Sequence, residues 1–329
     1  MKACAWVSVA TMAAVGLGLT GACGDGGGDT SSGSGGGASA DCTPTDPACP
    51  AVGITSDCLS LVDNTGLDQF ALRLSQLSVK APEALTNPFV YGIVSQGVNI
   101  NLPACNINTG KGTFNMLTIF DKTADTLTLA GAYPEASPAD GYCIVDDMAS
   151  EVAPITVTAN LQADGSFSTD PIPRIVVPIF LDISGDLGSA VFLPLREGRI
   201  TGGQLSADQN CIGRFNGDKL DPAFECAADP NDVEFFENGA SLDGFITLED
   251  ADEVIVELTN QSLCVLLSGD YKTYGDGMMP NRCLRDGGGA ITLKGDWCST
   301  TNAAGGCQDA FHLEAEVASS GAALKASCP

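Results

Sequence analysis

FNMLTIFDKTADTLTLAGA, residues 114–132, is the stretch of sequence that decides the fold. Two runs rich in Leu, Thr, Ile and Phe lie on either side of a polar loop, Asp121 to Asp125. β-branched, aromatic and aliphatic residues on both sides of a short polar loop are typical of two antiparallel strands. The stretch therefore predicts a β-hairpin.

More strand signals follow this hairpin. ITVTANLQADGSFSTD (residues 155–170) predicts a second hairpin with its turn at Ala163-Asp164-Gly165, and further strands are predicted within residues 172–183 and 189–206. Pro178 cannot donate a backbone hydrogen bond, so its strand should lie at an edge or contain a bulge. Short strands between Gly, Pro and Asp turns predict a mainly β fold, an antiparallel sandwich or open barrel.

One helix is predicted in the second half of the chain, in TLEDADEVIVELTNQSLCVLLSG (residues 247–269). Thr247 and Asp250 fit a capping box, and acidic residues occupy the first turns, where the helix dipole favours them. Apolar residues recur at helical spacing, and Gly269 suits a helix end. We therefore expect one amphipathic helix near residues 248–267.

A last strand is predicted by AFHLEAEVA (residues 310–318), in which apolar and polar residues alternate strictly. The alternation places His312 with Glu314 and Glu316 on the polar face of this strand. His312 is the only histidine of the chain. It is interpreted as a solvated strand residue rather than as a general base or metal ligand.

The change in character near residue 203 leaves two domain arrangements open. In the first, residues 42–203 form a β-rich lobe with a disulfide-stapled neck, and residues 204–329 form a cysteine-rich lobe with the helix and the last strand. In the second, both segments belong to one continuous domain.

The N-terminal residues 1–22 have the features of a secretory signal peptide. Lys2 is followed by an apolar stretch over residues 6–19, and Thr20-Gly21-Ala22 are small residues of the kind that precede a cleavage site. The apolar stretch is shorter than the roughly 20 residues that a membrane-spanning helix needs. We therefore expect export rather than a transmembrane helix.

Leu19-Thr20-Gly21-Ala22-Cys23 resembles the signal of bacterial lipoproteins, except that Thr20 stands where that family prefers an aliphatic residue. The resemblance implies cleavage before Cys23, lipidation of its thiol and attachment to a lipid bilayer. Residues 23–41 would then comprise the lipidated cysteine and a flexible Gly/Ser tether. Gly24 differs from the Asp that marks inner-membrane retention in that family, which favours the outer membrane.

The cysteines predict a disulfide-rich body. The chain has 14 cysteines and no CxxC pair, a pattern that indicates structural disulfides rather than a metal site in an exported protein. If Cys4 leaves with the signal and Cys23 carries the lipid, as the resemblance implies, twelve cysteines are left, an even number for pairing. The local pairs Cys211–Cys226 and Cys298–Cys307 are expected. The candidates are Cys42, Cys49, Cys58, Cys105, Cys143, Cys211, Cys226, Cys264, Cys283, Cys298, Cys307 and Cys328.

The charge balance excludes one class of partner. The formal net charge is −26, from 41 acidic and 15 basic residues. Nucleic-acid binding needs basic patches that neutralise phosphates, so a nucleic-acid partner is not expected. An extracellular protein or a glycan remains open as a partner.

No catalytic residue or cofactor site is predicted. One histidine without a GxSxG elbow does not support a Ser-His-Asp hydrolase, and paired carboxylates cannot be selected by sequence among so many acids. SLDGFITLED (residues 241–250) matches part of a calcium-binding loop, which makes Asp243 a weak calcium candidate. The sequence thus favours a membrane-anchored lipoprotein with a binding or structural role; the alternative is an anchored glycan hydrolase.

Overall fold

The structure is a computed structural model, and it describes residues 58–86, 101–102, 107–108, 112–180, 182–215, 236–256, 259–269 and 281–328. Residues 37–329 group into one compact unit. The predicted signal peptide, Cys23 and the tether lie outside the described residues. No helix in these described ranges is long and apolar enough to cross a membrane.

The described chain is mostly strand, with three short α-helices. The helices are α1 (Glu83–Thr86), α2 (Leu248–Glu253) and α3 (Leu263–Leu267). The strands are β1 (Gln69–Ala81), β2 (Asn101–Leu102), β3 (Ile107–Asn108), β4 (Asn115–Asp121), β5 (Thr126–Ala132), β6 (Ile155–Thr158), β7 (Ser166–Phe167), β8 (Ile172–Ile179), β9 (Val191–Thr201), β10 (Gly203–Gln204), β11 (Cys211–Ile212), β12 (Arg214–Phe215), β13 (Phe236–Glu237), β14 (Ala240–Thr247), β15 (Ile255–Val256), β16 (Gln261–Ser262), β17 (Trp297–Cys298), β18 (Ala303–Ala304) and β19 (Ala310–Ala322).

The main sheet is antiparallel and runs in the order β6-β5-β4-β1-β19-β14-β9-β8. The two longest strands, β1 and β19, pair with each other at its centre. Strand β8, at one end of this order, packs against β4, β5 and β6. The sheet therefore curls into a nearly closed barrel, which confirms the predicted mainly β class.

The hairpin predicted over residues 114–132 is confirmed as β4 and β5, which pair from Asn115 with Ala132 to Asp121 with Thr126. The carboxylate of Asp121 accepts hydrogen bonds from the backbone N–H groups of Thr123 and Ala124, both at 2.9 Å. Such local bonds hold the chain in a turn, so the polar loop reverses the chain at the predicted place.

Pro178 occupies an edge position, as predicted, because its strand β8 pairs with β9 on one side only. On its other side, the Pro178 ring lies against Gly131 of β5, where a Cβ atom would overlap it. Strand β8 is thus joined to the β4–β5 hairpin by side-chain packing and by the backbone hydrogen bond from the Phe180 N–H to the Thr113 carbonyl at 2.9 Å.

The core lies inside the curled sheet, and a bulge in β1 keeps apolar residues pointing toward it. Phe70, Leu72 and Leu74 face the core, and after a register shift between Leu74 and Gln76 the alternation resumes with Leu77 and Val79. One extra residue in a strand inverts the side-chain alternation beyond it. The bulge therefore explains why the apolar spacing changes phase in mid-strand.

The outer face of β1 and β19 is also buried, but under a polar layer. Ser75 and Ser320 share a 2.5 Å hydrogen bond, and the Ser320 hydroxyl donates to the carbonyl of Cys58 at 2.6 Å. The Gln76 amide bonds both the backbone N–H and the C=O of Phe236. Because each of these bonds satisfies a buried polar group, the covering segments are fixed in place.

The prediction of one helix over residues 248–267 is wrong. Helix α2 ends at Glu253, β15 and β16 pair as a small hairpin, and α3 begins after Ser262. Three successive β-branched residues, Val254 to Val256, favour extended backbone, and Ser262 caps the second helix by accepting from the Val265 N–H. The capping of α2 by Thr247, which accepts from the Asp250 N–H at 3.1 Å, is confirmed.

The second predicted hairpin is present around its turn, where the backbone N–H groups of Gln162, Ser168 and Asp170 donate to the carbonyls of Ser166, Ala159 and Thr158. Gly165 has a φ of +85° and its N–H donates to the carbonyl of Gln162, so the chain does turn there. In addition, β6 pairs with β5, and β7 pairs with β10. Strand β6 is drawn to the edge of the main sheet, where Ile155 and Val157 pack against the core.

Four disulfides lie within the described residues: Cys58–Cys211, Cys143–Cys328, Cys264–Cys283 and Cys298–Cys307. Disulfides are typical of proteins that fold outside the reducing cytosol, so these bonds are compatible with export. The predicted pair Cys298–Cys307 is confirmed. Cys42, Cys49, Cys105 and Cys226 lie outside the described residues.

The predicted pair Cys211–Cys226 is wrong, because Cys211 is bonded to Cys58. Strand β11 pairs with Ser319 and Ser320 of β19, and the segment after Cys58 bonds the same part of β19 through Gly321. The two cysteines therefore meet above β19, although 153 residues separate them. Strands from both sides of residue 203 belong to the main sheet.

Candidate functional site

A polar cleft of about 320 Å³ lies where β7 pairs with β10. Its walls carry the side-chain amides of Asn160, Gln162 and Gln204 and the hydroxyls of Ser166 and Ser168. Small-molecule sites are commonly concave and of about 300–1,000 Å³. This size and shape make the cleft the strongest candidate for a ligand site within the described residues.

The floor of the cleft is formed by two glycines and an aromatic ring. A Cβ atom at Gly203 would overlap the Phe167 ring, so only glycine allows the backbone to lie this close to it. The ring is buried and meets Phe120 edge-on, with 5.2 Å between centroids. Gly202 has a φ of +59°, and no atom lies within 4 Å of the place that its Cβ would occupy.

The amide groups in the walls are oriented by hydrogen bonds to the backbone. Asn160 Nδ2 donates to the Ser168 carbonyl at 3.1 Å, and Gln162 Nε2 donates to the Asn160 carbonyl at 3.0 Å. Gln204 Nε2 donates to the carbonyls of Asp164 and Leu205. Each bond uses the NH₂ end of an amide, so its carbonyl oxygen stays available to accept a hydrogen bond from a ligand.

Asp164 is the acidic residue at the turn beside the cleft. Its carboxylate accepts from the Ser166 hydroxyl at 2.7 Å and from the Ser166 N–H at 3.0 Å. These two bonds hold the pKa of Asp164 below its ordinary value, because they stabilise the charged form. The carboxylate is therefore ionised at neutral pH and adds negative potential at the rim.

A second cluster joins His312 and Asp243, two residues that the sequence analysis considered separately. His312 Nε2 lies 2.8 Å from Asp243 Oδ2, and the Trp297 ring stacks on the imidazole with 4.5 Å between centroids. The backbone N–H of His312 donates to Asp296 Oδ1 at 2.8 Å. The side chain of His312 is 21% exposed, whereas that of Asp243 is 47% exposed.

This geometry corrects the interpretation of both residues. His312 lies on the polar face of β19 but is packed and hydrogen-bonded rather than solvated. The suggestion of a calcium loop at Asp243 is wrong, since the residue lies in the middle of β14, opposite Glu314 and Arg199 of the neighbouring strands. In the described part of the chain, no hydroxyl or thiol is hydrogen-bonded to the His312 ring, so it activates no nucleophile there.

Among the described residues, two groups of side chains have the spacing of metal ligands, and both are explained by disulfides. Asp252 lies close to Cys264 and Cys283, and Asp309 lies close to Cys298 and Cys307. In each group the two sulfurs are bonded to each other. Metals bind cysteine as the thiolate, which a disulfide cannot supply.

Asp252 is a structural residue. Its side chain is 1% exposed and accepts from the Ser262 hydroxyl and the Cys283 N–H, both at 2.8 Å, and from Arg285 at 2.9 Å. Burial acts to raise the pKa of Asp252, but these hydrogen bonds outweigh it and lower the pKa below the ordinary value. The carboxylate therefore ties α2 to the start of α3 and to the segment after residue 281.

Comparison with known proteins does not extend these observations. No family model matches the chain, and neither the curated proteins nor the solved structures give a significant match.

The sequence analysis missed the cleft and the partners of His312. The turn at Asp164-Gly165 is predicted correctly. No local sequence pattern, however, indicates that it lies next to residues 202–204, which follow it in the chain after strands β8 and β9. The adjacent glycines 202 and 203 were the one usable signal, since neighbouring glycines often mark a close approach of backbone to another group.

Proposed function

We propose that this chain is an exported, lipid-anchored binding protein of the bacterial cell envelope, with the outer membrane as the favoured location. Lipid on Cys23 anchors it to the bilayer, residues 24–40 act as the tether, and the folded body presents the cleft to a ligand. The lipoprotein-like signal sequence and the disulfides support the export part of this proposal.

The observation that carries the binding role is the oriented polar lining of the cleft. Three amides and two hydroxyls converge on a space of about 320 Å³ with an aromatic and glycine floor. Amides fixed by backbone bonds lose little conformational entropy on binding, so they are suited to holding a ligand.

The alternative function, a glycan hydrolase with paired carboxylates, gains no support from this cleft. Its lining contains no carboxylate, whereas a glycosidase needs two, about 5–10 Å apart across the bond that it cleaves. The His312 cluster supplies no nucleophile among the described residues. Binding without chemistry is therefore the better account.

Replacing Cys23 tests the anchor. We expect Cys23→Ala to move the protein from the membrane fraction of a bacterial host to the soluble fraction, because the lipid is attached to that thiol. Cys4→Ala is the matched control and should leave the protein in the membrane fraction, since Cys4 lies within the segment that is removed. Retention of Cys23→Ala in the membrane would contradict the proposal.

A further inference from the structure

The lining of the cleft carries no charged side chain, although the chain has 41 acidic and 15 basic residues. A charged ligand gains most of its affinity from an opposite charge, and its desolvation is costly without one. The ionised carboxylate of Asp164 at the rim would also repel an anion. The electrostatics of the cleft thus disfavour phosphates, sulfates and uronic acids.

The hydrogen-bonding groups of the cleft are mainly acceptors. Within the described residues the amide oxygens of Asn160, Gln162 and Gln204 accept no hydrogen bond, and the Ser166 hydroxyl donates its proton to Asp164. Asn160 and Gln162 each keep one amide N–H as a donor. A matching ligand must therefore supply several donors in a small volume. Neighbouring hydroxyl groups on a sugar ring meet this requirement, because each can donate one hydrogen bond and accept others.

We infer that the cleft binds a neutral, hydroxyl-rich ligand of the carbohydrate class, held by the acceptor oxygens of Asn160, Gln162 and Gln204. This inference rests on the proposed binding function and adds the chemical class of the ligand. Gly202 leaves room for the ligand, since no atom lies within 4 Å of the place that its Cβ would occupy.

Two variants of the cleft make the inference testable. Gly202→Asn keeps the backbone conformation, since Asn tolerates positive φ, and places a side chain in the open space above the floor. Gly66→Asn is the matched control, because Gly66 also has a positive φ (+74°) and open space around it, and it does not line the cleft. Gln162→Ala removes one acceptor oxygen from an exposed side chain.

The experiment is calorimetric titration of the full chain at 0.15 M sodium chloride with four hexasaccharides: the neutral cellohexaose and maltohexaose, the anionic hexagalacturonate and the cationic glucosamine hexamer. We expect saturable binding of a neutral sugar. Gly202→Asn should weaken it at least tenfold, Gln162→Ala about fivefold, as the loss of one hydrogen bond implies, and Gly66→Asn less than twofold. Unchanged melting temperatures establish that the variants are folded.

The failures of the two proposals can be told apart. Binding of only a charged hexasaccharide, lost in Gly202→Asn but kept in Gly66→Asn, would overturn the neutral ligand class and leave the binding function in place. Absence of saturable binding of every hexasaccharide would overturn both. Binding of a neutral sugar that neither Gly202→Asn nor Gln162→Ala weakens would overturn the assignment to this cleft.

Discussion

The imidazole of His312 and the carboxylate of Asp243 lie 2.8 Å apart, although 69 residues separate them in the chain. Strands β14 and β19 bring them together, and the Trp297 ring covers the imidazole. The arrangement links the last strand to the disulfide loop that begins at Cys298. We interpret the His312 cluster as a stabilising contact on the outer face of the sheet.

Replacement of His312 should therefore destabilise the body. His312→Ala loses one partly buried hydrogen bond and one aromatic stack, which together contribute about 2 kcal/mol. Unfolding in urea, followed by tryptophan fluorescence, measures this change. Trp297 is a suitable probe because the only other tryptophan is Trp6, in the predicted signal peptide.

The control for this variant is Glu314→Ala, on the same polar face of β19. The Glu314 side chain is exposed and has no hydrogen bond or ion pair with the described residues, so its loss should change stability by less than about 0.5 kcal/mol. Equal effects of the two substitutions would contradict the role assigned to His312.

Asp252 provides a second test at the corner between α2 and α3. Asp252→Ala leaves the Ser262 hydroxyl and the Cys283 N–H without their acceptor, which should cost about 2–3 kcal/mol. Glu249→Ala removes the exposed partner of the same Arg285 and should cost less than about 1 kcal/mol. Thermal unfolding of both variants measures the difference, and a larger loss in Glu249→Ala would refute this account of the corner.

The sequence predicted what depends on local pattern. The hairpin of β4 and β5, the edge position of Pro178 and the alternation in β19 follow from propensities and spacing within a few residues. The break between α2 and α3 was not predicted, because the apolar residues of this segment recur at helical spacing. The three β-branched residues that begin at Val254 were the signal for extended backbone. In the sequence, Asp252 is one of several acidic residues near the start of the predicted helix. Its burial depends on tertiary contacts, which the sequence pattern does not indicate.

Long-range relationships were beyond the sequence. The Cys58–Cys211 bond forms because two segments that are distant in the chain both pack over β19. The spacing of the cysteines in the sequence does not indicate this contact. The cleft likewise depends on β7 pairing with β10, in addition to the bonds that β7 makes within the predicted hairpin. Strand pairing is decided by packing across the whole sheet, so a single sequence does not specify it.

The four described disulfides should contribute unequally to stability. In the chain-entropy account, closing a loop of 185 residues (Cys143–Cys328) stabilises by up to about 5 kcal/mol, and one of 9 residues (Cys298–Cys307) by about 2.5 kcal/mol. Replacement of each pair by alanine should thus lower the melting temperature most for Cys143–Cys328. Scanning calorimetry gives the order, and a larger loss for Cys298–Cys307 would contradict it.

Acid should destabilise the protein below about pH 4. The folded state lowers the pKa of Asp121, Asp164 and Asp252 from the ordinary 3.8, through hydrogen bonds to their carboxylates. The unfolded state therefore binds more protons in this range, so stability is fully present above pH 4 and is lost as the pH falls through the lower folded pKa values.

Melting temperatures between pH 7 and pH 2 test this dependence. The series is best measured at 0.15 M sodium chloride, where a Debye length of about 8 Å limits the effect of discharging distant acids. We expect little change from pH 7 to pH 5 and a steady fall below pH 4. A melting temperature that rises on acidification would show that relief of charge repulsion outweighs the loss of these hydrogen bonds.

The central claim, an exported protein held at the membrane by lipid on Cys23, is tested most directly by mass spectrometry of the protein isolated from its native membranes. Peptides analysed without reduction should begin at Cys23, carry a diacylglycerol mass on that residue, and contain the linked pairs Cys58–Cys211 and Cys143–Cys328. An N-terminal peptide that retains residues 1–22, or a Cys23 without lipid, would contradict the account.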